Sequence, residues 1–152
     1  MAETKQDAVI LVAEDDQDDQ LLIKEAFDSV GLGSNVVIVE DGVELMDYLH
    51  KKESPQPQLI VLDLNMPRKD GRVALQEIKS HPTLRRIPVI GLTTSHNQDD
   101  ILHTYDLGVN SLIQKPLYFE QYVEIARTIK KYWLDVVHLP IQAGSAADDE
   151  KS

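Results

Sequence analysis

Short apolar runs along the chain alternate with longer segments in which apolar residues recur every three or four positions. The runs are typical of buried strands and the longer segments of amphipathic helices. The predicted strands are Ala8–Ala13, Val36–Val39, Leu59–Leu64, Pro88–Leu92 and Ser111–Gln114. The predicted helices are Gln17–Val30, Val43–His50, a helix from the Met66–Gly71 turn through Ile78, Gln98–Leu107, and Tyr118 to about Val137. This alternation predicts an α/β domain with a central five-stranded parallel sheet.

The length of 152 residues is typical of one domain. We predict a polar N-terminal extension over residues 1–7, a folded domain over residues 8–137 and a C-terminal extension over residues 138–152. The last of these is small, polar and acidic, so we expect it to be a flexible tail beyond Pro140.

The net charge of −11 argues against a nucleic-acid partner, because such binding relies on cationic side chains, and it favours a protein or a metal ion. No uninterrupted apolar stretch approaches the roughly 20 residues of a membrane-spanning helix, so no membrane partner is expected. The chain has no cysteine, which fits a reducing compartment such as the cytoplasm.

Polar residues follow four of the five predicted strands, at the edge of a parallel sheet where functional groups gather. They are Glu14, Asp15 and Asp16 after the first strand, Asp63 and Asn65 at the third, Thr93, Thr94 and Ser95 at the fourth, and Lys115 at the fifth. Glu14, Asp15 and Asp63 would repel one another unless a divalent cation joined them, and Mg2+ prefers carboxylate oxygens. A carboxylate can also be the nucleophile toward a phosphoryl group, while a lysine neutralises charge.

The other acids of the run "EDDQDD" favour a different interpretation. Asp16 can cap the following helix, and Asp18 and Asp19 suit its positive N-terminal end. We therefore expect these three residues to be structural.

Four motifs in order resemble the response-regulator receiver domain of two-component signalling: "EDD" at 14–16, "LDLNMP" at 62–67 with "DG" at 70–71, "LTT" at 92–94 and "KP" at 115–116. The resemblance covers about residues 8–137 and implies a doubly wound, flavodoxin-like (CheY-like) (βα)5 fold. It also implies that a histidine kinase phosphorylates Asp63 and that Asp63, Asp15 and the main-chain carbonyl of Asn65 bind Mg2+. Glu14 would act through a metal-bound water, Thr93 would bond to a phosphoryl oxygen, and Lys115 would pair with it.

A narrower resemblance comes from "HPTLRRIPVIGLTTS", "DDILHTYDLGVNSLI" and the ending "YWLDVVHLP". These segments are similar to the single-domain response regulators encoded beside bacterial phytochromes. The likeness implies a red-light-regulated histidine kinase as phosphodonor.

Two alternatives to a phosphoacceptor stay open. One is a receiver-fold scaffold that takes no phosphate. The other is a phosphatase of the haloacid dehalogenase type, an enzyme that needs an acid two residues after its nucleophile, where this chain has Asn65. The leading interpretation is a signalling protein rather than an enzyme. Receivers also often carry an aromatic switch residue three positions before the lysine, and here that position is Leu112.

The last predicted helix has an apolar arc of roughly 200°, wider than one sheet requires. The excess is centred on Ile125, Ile129, Tyr132 and Val136. We therefore predict a homodimer through the fourth helix, fifth strand and fifth helix, against the alternative that the chain's own C-terminal segment covers this face. The Lys115–Pro116 peptide is a candidate cis bond, because the free-energy cost of a cis peptide bond is lowest before proline.

Overall fold

The computed structural model describes residues 8–66 and 70–140, and all structural statements below refer to these residues. The predicted N-terminal extension, residues 67–69 of the Met66–Gly71 turn and the tail beyond residue 140 lie outside them. No helix within the described ranges is long and apolar enough to cross a membrane.

Five strands alternate with five helices, which confirms the predicted element order. The strands are β1 (Ile10–Ala13), β2 (Val36–Val39), β3 (Leu59–Asp63), β4 (Val89–Thr93) and β5 (Ser111–Gln114). The helices are α1 (Gln17–Ser29), α2 (Gly42–His50), α3 (Gly71–Ser80), α4 (Gln98–Asp106) and α5 (Phe119–Thr128). Short 3-10 turns at Gly33–Asn35 and Leu84–Arg86 and a π-helix over Ile129–Val136 complete the described elements.

The sheet is parallel throughout, with strand order β2-β1-β3-β4-β5. The chain first moves outward from β1 to β2 and then returns past β1 to β3, so its direction reverses beside β1. Ile10 pairs with Val36 of β2 on one side and Leu59 of β3 on the other. In open α/β sheets a ligand site lies at this reversal, beyond the carboxyl ends of the strands.

Successive residues of the central strands pack into two separate cores. In β1, Leu11 and Ala13 join the core under α2 and α3, whereas Ile10 and Val12 join the core under α1 and α5. Both faces of the sheet are therefore covered, which explains why the strands read as continuous apolar runs. β5 is an edge strand and is only partly buried.

The final helix differs from its prediction in two ways. The α-helix ends at Thr128 and continues as a π-helix, whose wider turn is seen in the bond from Val137 N–H to the Tyr132 carbonyl. In addition, Ile129 is 1% exposed and packs in the core, so its placement on a partner surface was wrong. The reason is helical spacing: Ile129 follows Tyr122 and Ala126 by seven and three residues, on the stripe that faces the sheet.

One smaller expectation also fails. The Lys115–Pro116 peptide is trans, as are the other peptide bonds of the described residues. Proline only reduces the intrinsic preference for trans, so the dipeptide alone could not fix the isomer.

Lys79 ties together three segments at the amino edge of the sheet. Its ammonium group donates to the carbonyls of Arg85 (3.2 Å) and Ile87 (2.9 Å) and to Asn110 Oδ1 (3.1 Å). The backbone of Gly108, with a φ of 107°, lies close to this lysine: a Cβ added to Gly108 would be 2.9 Å from Lys79 Cγ. Burial lowers the pKa of Lys79. The three oxygens that accept from its ammonium group are neutral, and they stabilise the charged form.

We expect Lys79→Met to lower the free energy of unfolding by about 2 kcal/mol, because the carbonyls of Arg85 and Ile87 and the Asn110 side chain lose a charged donor. Urea denaturation followed by circular dichroism measures the change. Lys51→Met, at an exposed position, should stay within about 0.5 kcal/mol of the wild type. Equal effects of the two variants would contradict the structural role of Lys79.

Candidate active site

Four strand ends deliver the predicted polar residues to one edge of the sheet. Glu14 directly follows β1, and its N–H donates to the Val39 carbonyl at 3.0 Å. Asp63 and Thr93 are the last residues of β3 and β4. Lys115 follows β5, with its N–H 2.7 Å from the Thr93 carbonyl. The backbone hydrogen bonds of the sheet thus fix where each side chain starts.

Asp63 is buried, and both of its carboxylate oxygens have a donor. Oδ2 accepts from Lys115 Nζ at 2.9 Å, and Oδ1 accepts from the Asn65 N–H at 2.9 Å. The start of α3 lies close behind this carboxylate: a Cβ added to Gly71 would meet the Asp63 carbonyl oxygen at 2.4 Å. Glycine at this position therefore permits the close approach of helix and strand.

Lys115 is the cation around which the acids assemble. Its Nζ lies 2.9 Å from Asp63 Oδ2, 3.1 Å from Glu14 Oε1 and 3.1 Å from Asp19 Oδ2. Burial lowers the pKa of Lys115, but the hydrogen bond and charge of Asp63, with Glu14 and Asp19, outweigh burial and raise the pKa above its usual value. The ammonium group is therefore charged over the whole physiological pH range.

Glu14 is fully buried and is the most perturbed acid of the site. Burial first, and then the charge of Asp63, raise its pKa to about 8, against the opposing effects of the Asp16 N–H and Lys115. Its Oε2 accepts from that N–H at 3.1 Å. A carboxyl group with so high a pKa holds a proton at neutral pH, unless additional positive charge arrives to favour the carboxylate.

Glu14, Asp15 and Asp63 form a cluster that could hold a cation. One carboxylate oxygen from each residue lies within 4.8 Å of the corresponding oxygens of the other two. These hard oxygen ligands suit Mg2+, which commonly binds one or two carboxylates together with waters and phosphate oxygens. The raised pKa of Glu14, caused by burial and then by the charge of Asp63, fits the same interpretation, because a bound cation would favour the charged carboxylate.

Thr93 and Asn65 lie at the rim of this cluster. The Thr93 side chain is buried, and its Oγ1 accepts from the Ser95 N–H at 3.0 Å, which leaves its own O–H able to donate. The Asn65 side chain is exposed, and its Oδ1 lies 3.4 Å from both the N–H and the hydroxyl of Thr94. Ser95 Oγ donates to Asp100 Oδ2 at 2.8 Å, so Ser95 joins the loop to α4.

The acidic residues 14–19 divide between the site and the start of α1 differently from the prediction. Asp16 caps α1 as expected, since its Oδ1 accepts from the N–H groups of Asp18 (2.8 Å) and Asp19 (3.1 Å). Asp19, however, turns its side chain back to Lys115 and belongs to the site. The signal in the sequence was its position, because Asp19 lies in the first turn of α1, directly after the acids that follow β1.

Comparison with known proteins gives the family. The model of the response regulator receiver domain matches residues 10–137. Among curated proteins, response regulator Rcp1 of Synechocystis sp. is 41% identical over 136 residues, which cover 87% of this chain and 92% of Rcp1.

Solved structures agree in fold as well as sequence. The phosphorylated cyanobacterial phytochrome response regulator RcpA superposes with a TM-score of 0.81 at 46% identity, covering 88% of this chain and 99% of that one. The Mn2+-bound form of Rcp1 superposes with a TM-score of 0.79 at 40% identity, with the same coverage of 88% and 99%. The chain therefore belongs to the response-regulator receiver family.

Proposed function

We propose that this chain is a phosphoacceptor that receives a phosphoryl group on Asp63 from a histidine kinase in a reaction that requires Mg2+. The observation that carries the proposal is the contact of the buried Asp63 carboxylate with Lys115 at 2.9 Å, beside acids that could hold a cation. The signal would then pass by protein contacts.

The transfer forms one bond and breaks one. A carboxylate oxygen of Asp63 attacks phosphorus, and the phosphorus–nitrogen bond of the donor phosphohistidine breaks, with its electron pair leaving on the imidazole. The carboxylates of Glu14, Asp15 and Asp63 and the main-chain carbonyl of Asn65 would hold Mg2+, which supplies positive charge for the phosphoryl oxygens. Lys115 neutralises the remaining charge, and Thr93 donates its O–H to a phosphoryl oxygen.

A signalling role is favoured over a phosphatase role by the residue two positions after Asp63. A hydrolase of that type needs an acid there to protonate its leaving group, whereas Asn65 carries an amide that cannot do so. The Asn65 side chain instead faces Thr94.

We further propose that the phosphodonor is a phytochrome-type histidine kinase. The support is the name of the relative RcpA, a cyanobacterial phytochrome response regulator, which is 46% identical to this chain. The exchange would take place in the cytoplasm, in keeping with a chain that has no cysteine.

Incubation with acetyl phosphate and Mg2+ should add one phosphoryl group to the wild type, as read by intact mass. Asp63→Asn should remove the addition, because an amide is a far weaker nucleophile than a carboxylate. Asp47→Asn, at an exposed position on α2, should be phosphorylated like the wild type. A wild type without added mass would favour the scaffold alternative, and addition that survived in Asp63→Asn would refute the acceptor assignment.

The affinity for Mg2+ should rise with pH up to about 8 and then level off. Because Glu14 holds its proton up to about pH 8, cation binding below that value must release the proton, which weakens the affinity by up to about tenfold per pH unit. Calorimetric titration at a series of pH values measures the slope, and Glu14→Gln should flatten it. A wild-type affinity that is constant between about pH 6 and 8 would contradict this assignment.

We also propose a homodimer through the face of α4, β5 and α5. Four large apolar residues of α4 and the π-helix are exposed there: Leu102, Tyr105, Tyr132 and Val136. Between β5 and the helices, Ile113, Ile125 and Trp133 line a groove of about 200 Å³. Of the four residues predicted for this interface, Ile125 is half-buried at the groove, Tyr132 is 51% exposed and Val136 is 63% exposed.

The double variant Tyr132→Ala/Val136→Asp should convert the dimer into a monomer, because it removes two exposed apolar side chains and adds a charge to the interface. Light scattering gives the mass. Val73→Asp, on α3 and outside the proposed face of α4, β5 and α5, adds the same charge at an exposed valine and should leave the dimer intact. A dimer mass that is unchanged in the double variant would overturn the proposed interface.

A further inference from the structure

Asp19 contributes a carboxylate to the site but lies outside the group that could hold a cation, which consists of Glu14, Asp15 and Asp63. Its contact in the site is with Lys115, at 3.1 Å between Oδ2 and Nζ. The Asp16 cap fixes the first turn of α1, with the Asp19 N–H 3.1 Å from Asp16 Oδ1. Asp19 is therefore held in place to act on Lys115 rather than on the cation.

The ammonium group of Lys115 has three N–H donors, and three acidic side chains already surround it. A phosphoryl group on Asp63 brings new anionic oxygens, so Lys115 must give up part of a resting contact to reach them. Of the three acids around Lys115, Glu14 belongs to the group that could hold a cation, and Asp63 carries the phosphoryl group itself. Asp19 is the third acid, and its charge competes directly with the phosphoryl group for the Lys115 ammonium group.

Tyr122 offers Asp19 a replacement donor. The tyrosine lies in the first turns of α5, is 4% exposed, and packs in the core between the sheet and α1. Its buried hydroxyl has no hydrogen-bond partner among the described residues. Ile23 of α1 packs in the same core as Tyr122, and Asp19 lies one helical turn before Ile23 on the same face of α1. Burial and then the charge of Asp19 also raise the pKa of Tyr122. An unpaired buried hydroxyl is costly and calls for an explanation.

We propose that Asp19 and Tyr122 are positioning residues that determine whether the Lys115 ammonium group contacts Asp19 or a phosphoryl oxygen. In the unphosphorylated site Asp19 holds the ammonium group. When Lys115 turns to a phosphoryl oxygen, the Tyr122 hydroxyl donates to the Asp19 carboxylate in its place. This role rests on the proposed function of Asp63 as phosphoacceptor, and it makes α1 and α5 jointly responsible for how tightly a phosphoryl group is held.

The test uses beryllofluoride with Mg2+, which mimics a phosphoryl group on an aspartate and binds at equilibrium. Asp19→Ala removes the competitor for Lys115, so we expect the affinity for beryllofluoride to rise about fivefold, the factor for a net hydrogen-bond contribution. Asp18→Ala removes the same charge from an exposed neighbour whose N–H, but not its side chain, bonds to Asp16, and serves as the matched control. NMR titration of the full chain measures both affinities.

Tyr122→Phe should act in the opposite direction, weakening beryllofluoride binding about fivefold, because Asp19 then has no replacement donor. In the Asp19→Ala background the same substitution should have no effect, since the two residues act through one contact. A purely structural role of the hydroxyl would give equal effects in both backgrounds. Thermal unfolding of each variant confirms that the proteins compared are folded.

Two results would overturn the inference. The first is an Asp19→Ala variant that binds no more tightly than Asp18→Ala, and the second is a Tyr122→Phe effect that persists without Asp19. A wild type that binds no beryllofluoride and takes no phosphoryl group from acetyl phosphate would instead overturn the acceptor function of Asp63, and this role with it. The two failures are therefore distinguishable.

Discussion

Lys115 places one positive charge among three acidic side chains, those of Asp63, Glu14 and Asp19, whose negative charges would otherwise repel one another at the carboxyl edge of the sheet. Its position depends on the strand order. β5 is the edge strand and pairs with β4, so the lysine must reach past β4 to meet Asp63 at the end of β3 and Glu14 beyond β1. A long, flexible side chain on a fixed strand end can span that distance, and the ladder bond to Thr93 anchors its backbone.

The two hydrophobic cores hold the strand ends in place from the two faces of the sheet. β1, β3 and β4, which end in the site, are buried on both sides, so their ends are held by packing as well as by hydrogen bonds. The helices add the remaining constraints. The cap at Asp16 fixes the direction of α1, and Gly71 lets α3 begin directly behind Asp63. Loop residues such as Ser95 then need only join one rigid element to the next.

Much of the fold could be predicted from the sequence because each element carries its own local pattern. A strand buried on both faces must be apolar at every position, and a helix packed on a sheet must repeat its apolar residues at helical spacing. The same logic failed at Ile129. The sequence shows that an apolar arc is wide, but not which part of it faces the sheet, and the change from α- to π-helix rotates the residues that follow.

The sequence by itself determined the number and order of elements, the polar residues at each strand end, and the motifs that resemble a receiver domain. These are local properties, and the rule that parallel strands end at one edge converts them into a site. Only the tertiary structure decided that Asp19 contacts Lys115 across 96 residues of chain (115 − 19) and that the Tyr122 hydroxyl is buried without a hydrogen-bond partner among the described residues. The first fact depends on how α1 lies beside the end of β5, and the second on how α1 and α5 pack together. The order of residues along the chain specifies neither.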